Sequence, residues 1–60
     1  MTLEQFLFTM WYTGRKFIVK KGDTEKEIVS DGDLTEDMRN AGIKRYREDI
    51  IRDSIVIEIE

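Results

Sequence analysis

The hydroxyl groups of Ser30 and Ser54, with those of a few threonines, are the nucleophiles on offer, and the chain has no cysteine or histidine to stand beside them. Nucleophilic catalysis needs a base within hydrogen-bonding reach of the attacking atom. A serine–lysine pair is the one arrangement left. No lysine has the apolar neighbours that would depress an ammonium pKa. An enzyme is not expected. Paired carboxylates occur at Asp31-Gly32-Asp33 and at Glu36-Asp37. A calcium loop of the helix-loop-helix type wants acids at alternate positions, glycine sixth and glutamate twelfth. Counted from Asp31, those places hold Glu36 and Gly42, and the pattern fails. A zinc site would have to use carboxylates alone, against the usual nitrogen and sulfur ligands. Gly14 and Gly22 are isolated, so no phosphate-cradling loop is present. Neither a metal nor a cofactor is expected.

What remains is binding. Lys44, Arg45, Tyr46 and Arg47 interleave bases with an aromatic ring, as a nucleic-acid contact would. Arg15, Lys16, Lys20 and Lys21 could extend it. Thirteen acidic and ten basic residues give a net charge of −3, which supplies no long-range pull toward phosphate. The charges come in blocks. Residues 15–21 and 39–47 carry four bases each and no acid, residues 23–37 carry seven acids and one base, and residues 48–60 carry five acids and one base. Blocks of this length usually pair across a folded sheet. Arg45 and Arg47 are then partners for the glutamates near the end of the chain.

Local signals define the elements that carry these residues. Thr2 and Gln5 make a capping box, and Leu3, Phe6, Leu7 and Met10 recur at helical spacing, with Gly14 as a left-handed stop. Phe17, Ile18 and Val19 lead through a turn at Gly22 into a returning strand over residues 25–30 with Ile28 and Val29. Asp31-Gly32 is a turn signal. Asp33 with Glu36 caps a second helix whose buried side is Leu34, Met38 and Ala41, stopped by Gly42. Residues 43–51 fit two periods. At 3.6 they form a helix; at 2 they form a strand, with Tyr46 opposite Ile59, Ile50 opposite Ile55, Arg47 facing Glu58 and Arg45 facing Glu60 across a turn at Arg52-Asp53. Residues 55–60 alternate as a strand. The expected fold is α+β in the order α-β-β-α-β-β, one domain over residues 1–60, with a small antiparallel sheet and helices on one face.

Sixty residues bury only about 60% of the unfolded surface, and a domain of that size usually needs a staple. With disulfides and metals removed, a partner subunit is the staple left. The first helix offers a surface for one. Phe8 and Tyr12 lie at i and i+4 away from the core stripe, with Trp11 between them. A helix apolar nearly all round must be covered all round. These rings either wrap the edge of a small core or form an exposed aromatic patch of the kind found at interfaces. A twofold homodimer is the expected assembly.

The opening Met1-Thr2-Leu3-Glu4-Gln5-Phe6-Leu7, the hairpin, the Ser30-Asp31-Gly32-Asp33-Leu34 entry to a short helix and the closing Ile55-Val56-Ile57-Glu58-Ile59-Glu60 resemble small accessory proteins of Gram-positive phages and prophages. Among these are inhibitors of bacterial immunity, including anti-CRISPRs and inhibitors of Hachiman-type defence. The resemblance implies a short, non-enzymatic, dimeric inhibitor that blocks a host defence protein by surface occlusion. The aromatic outer helix face and the basic segment 44–47 depart from that pattern, and no site residue carries over. In such a dimer Asp31, Asp33, Glu36 and Asp37 would present a repeated negative surface to the partner, able to occupy a nucleic-acid-binding cleft. The alternative is a small nucleic-acid-binding regulator acting through Lys44, Arg45, Tyr46 and Arg47. The apolar run at residues 6–12 is too short to span a bilayer and no basic region precedes it, so the cytoplasm of a bacterial host is the expected location.

Overall fold

The computed structural model describes residues 1–11 and 14–60. Helix α1 (Leu3–Met10) leads to strands β1 (Lys16–Lys21) and β2 (Thr24–Ile28), a 3-10 turn (Asp31–Asp33), helix α2 (Glu36–Asn40), and strands β3 (Ile43–Asp49) and β4 (Ser54–Ile59). The α+β class is the expected one, and the element order departs from the expected one by the 3-10 turn inserted before α2. Residues 43–49 form a strand, which settles the period in favour of two.

The sheet is mixed, not purely antiparallel. Its order is β2-β1-β4-β3, with β1 and β4 paired in parallel and both hairpins antiparallel. Burial explains the arrangement. β1 and β4 are the two strands with three consecutive apolar residues, Phe17-Ile18-Val19 and Ile55-Val56-Ile57, all of them buried. A strand apolar on both faces belongs in the middle of a sheet. β2 and β3, mostly charged, take the edges, where charge discourages pairing with other chains.

The core lies on one face. Leu3, Phe6 and Leu7 of α1 and Leu34 pack onto Phe17, Val19, Ile28, Ile55, Ile57 and Ile59, with Met10, Trp11, Met38, Ala41 and Ile43 at its margin. Each such burial contributes about 1.5–3 kcal/mol. Thr2 accepts from the Gln5 amide while Gln5 closes the box from its side chain, as the spacing requires. Gly14 and Gly22 adopt positive φ, +67° and +60°. Gly42 instead bridges to Thr2, tying the start of α1 to the sheet.

The second helix starts later than Asp33. Thr35 is its cap, accepting from the Met38 amide. The Asp33 carboxylate turns back and accepts from the amides of Val29 and Ser30 at 2.9 and 3.0 Å, so it closes the preceding turn. The β3–β4 register also differs from the expected one by two residues, with Tyr46 opposite Ile57 and Arg45 opposite Glu58. An even slip keeps every side chain on its face. Its consequence is that Ile50 leaves the ladder and joins the turn.

Among the described residues no helix covers the opposite face of the sheet. Ile18 and Val56, neighbours across β1 and β4, are buried there all the same. Arg52 binds Asp49 at 2.8 Å and Glu25 at 3.0 Å, linking the two edge strands, while Lys16 pairs with Glu27 and Arg45 with Glu58. Across the ladder Ile18 stands beside Glu27 and Val56 beside Arg47, and the stems of long charged side chains shelter apolar neighbours in this way. No helix among the described residues is long and apolar enough to cross a membrane.

Candidate binding surfaces

On α1 the capping box and the core stripe fix the rotation of the helix, and Phe8 is left on the outside, 69% exposed, beside exposed Gln5 and Thr9. Trp11 is half-buried, its ring edge-on to Phe17 at 5.3 Å, so it serves the core margin. Tyr12 lies outside the described residues.

The four acids singled out on residues 31–37 divide into two kinds. Asp31 receives both terminal nitrogens of Arg39, at 2.9 and 3.0 Å, and its carbonyl accepts a third bond; Arg39 also binds Glu4. The guanidinium holds the Asp31 carboxyl below the usual range. Asp33 is lowered as well, by the Val29 and Ser30 amides. Both serve the fold. Glu36 and Asp37, in the first turn of α2, are exposed and form no ion pair among the described residues.

The basic segment divides in the same way. Arg45 donates to Glu58 at 2.5 Å, which lowers the Glu58 carboxyl, and the Tyr46 ring lies 4.8 Å from that of Phe6. Lys44 and Arg47 stay exposed and unpaired among the described residues.

Two features escape a reading of the sequence. Ile50 and Ile51 stand at the tip of the β3–β4 turn, 83% and 97% exposed. The signal was available as two adjacent isoleucines between Asp49 and Arg52-Asp53, but Ile50 fits a strand equally well. At the other end of the sheet, a cavity of about 240 Å³ opens where the helices stop short of β2. Val19, Met38 and Ile59 give it an apolar floor, and Lys21, Thr24 and Lys26 form its rim. No cluster of metal-ligating side chains exists among the described residues. No protein-family model, no curated protein and no solved structure matches the chain.

Proposed function

We propose that this protein is a non-enzymatic binding module that self-associates through α1 and acts by occluding a partner protein. One observation carries the reading. Phe8, a large ring on a helix whose opposite face is already committed to the core, is left in water. Exposed aromatic residues of this kind anchor protein interfaces. A second copy, related by a twofold axis, would cover Phe8 with its own equivalent. The partner, following the likeness to phage accessory proteins, is a bacterial defence protein with a nucleic-acid-binding cleft. The carboxylates free to enter that cleft are Glu36 and Asp37, because Asp31 and Asp33 are held by the fold.

Sedimentation across a concentration series tests the reading. Phe8→Ser should convert a dimer into a folded monomer, whereas Glu36→Gln with Asp37→Asn should keep the dimer and fail to displace nucleic acid from a purified defence nuclease. A wild-type chain that sediments as a monomer throughout removes the self-association.

A further inference from the structure

The two edges of the sheet differ. β3 is obstructed near its start. Ile43 stands opposite Ile59 and Arg45 opposite Glu58, so Lys44 is an extra residue, and such a bulge interrupts the row of groups that a further strand would bond. The Ile43 amide is already taken by the Met1 carbonyl. β2 has neither obstacle. It pairs with β1 without a register shift, from Lys21 opposite Thr24 to Phe17 opposite Ile28.

The turn between β1 and β2 decides which backbone groups point outward. Gly22 has positive φ, +60°, and Asp23 does not. Those angles make a type II′ turn, the two-residue connection that suits a hairpin. Lys21 and Thr24 are thus a hydrogen-bonded pair, and the alternation of an antiparallel ladder makes Val19–Lys26 and Phe17–Ile28 the next ones. Glu25 and Glu27 fall between them, so their N–H and C=O groups face away from β1. Among the described residues no bond from another element reaches these groups. Beyond them the edge closes, because the Val29 amide donates to Asp33.

Charge keeps β2 from indiscriminate pairing and also sets which strand it accepts. Lys26 lies between the two glutamates on the helix-bearing face, and both Thr24 and Lys26 line the cavity floored by Val19, Met38 and Ile59. Lys21 and Lys26 form no ion pair among the described residues. Asp33 acts on Lys26 from further off, and two amides already hold that carboxylate. Glu25 and Glu27, by contrast, are engaged by Arg52 and Lys16. The free charge on this edge is positive. A second copy of β2 related by a twofold axis does not fit it. The antiparallel register that uses the outward groups of both glutamates sets Lys26 against its own equivalent, a like-charge pair.

We infer that the edge of β2 accepts an extended segment of a partner protein, which adds a strand to the sheet. An acidic side chain of that segment meets Lys26, and an apolar one at the next position on the same face enters the cavity beside Thr24. Main-chain bonds to Glu25 and Glu27 supply affinity, and the alternate side chains supply specificity. The contact requires neither self-association through α1 nor entry of Glu36 and Asp37 into a cleft, and it leaves Phe8→Ser a monomer.

Two short blocked peptides test it. In each, threonine alternates with a face that carries leucine and either glutamate or lysine. Amide exchange is followed by nuclear magnetic resonance on the full chain. With the glutamate peptide at roughly millimolar concentration, exchange at the Glu25 and Glu27 amides should slow about tenfold, in the parent chain and in Phe8→Ser alike. The lysine peptide should leave both amides fast. Lys21→Glu with Lys26→Glu, at two exposed positions, should reverse the preference. Unchanged exchange with both peptides, equal slowing with both, or slowing along β3 instead overturns the strand addition. A parent chain that sediments as a monomer leaves the exchange result unaffected, so the two proposals fail separately.

Discussion

At the scale of single residues, the carboxylates divide into those that hold the fold and those that face solvent, and acid should separate them. Asp31, Asp33, Asp49 and Glu58 all have their pKa values lowered, by Arg39, by the Val29 and Ser30 amides, by Arg52 and by Arg45 respectively. A lowered folded value means that the folded state binds fewer protons than the unfolded one through that range. The stability these groups supply is full above the ordinary carboxylate range near about pH 4. It is lost as pH falls through the lower folded values. The thermal midpoint should therefore hold from neutrality to about that point and drop below it. Asp33→Asn keeps a side-chain acceptor for the two amides and cannot titrate, so its acid loss should be smaller than that of the parent chain. Identical acid profiles for the two would show that the Asp33 bonds contribute nothing.

Elements are set by a different property, the number of faces each must bury. The first cap of α1, the first hairpin and the core stripe could be read from Thr2, Gln5, Gly22 and the spacing of Leu3, Phe6 and Leu7, because local chemistry decides them. The parallel pairing of β1 with β4 is not local. Its signal was the unbroken Ile55-Val56-Ile57, which alternation from Val56 onward obscures, and which marks a central strand. The sequence places the second helix cap at Asp33, two residues before the Thr35 that the structure uses, for a related reason. Aspartate can close the turn behind it as well as the helix ahead, and Thr35 was equally able to cap. Of the surfaces, Phe8 follows from helical period, whereas the tip depends on a two-residue register that only the packed sheet fixes. The central position of β4 gives a measurable contrast. Ile57→Ala, at a fully buried site, should cost about 2–5 kcal/mol in urea unfolding. Ile51→Ala, at the tip, should stay within about 0.5 kcal/mol. Similar losses at both would mean that β4 does not lie in the middle of the sheet.

For the whole molecule the governing fact is size. Sixty residues with a single one-sided core supply little stability, roughly 0.05–0.15 kcal/mol per residue. Among the described residues the second face of the sheet shelters no apolar side chains beyond Ile18 and Val56, and its ion pairs each contribute little. Association is then the term with room to matter, because a partner that binds only the folded chain adds stability by mass action. For a dimer each tenfold rise in concentration adds about 0.7 kcal/mol per chain, half the tenfold free-energy step. In a domain of this size that corresponds to about 3–5 °C in the thermal midpoint. The parent chain should show this climb in calorimetry over a hundredfold range of concentration. Phe8→Ser should flatten it without lowering the midpoint at the dilute end, since Phe8 gives the isolated fold almost nothing. A parent chain whose midpoint ignores concentration would be one that needs no second copy, and its exposed rings would then belong to the surface it offers to other proteins.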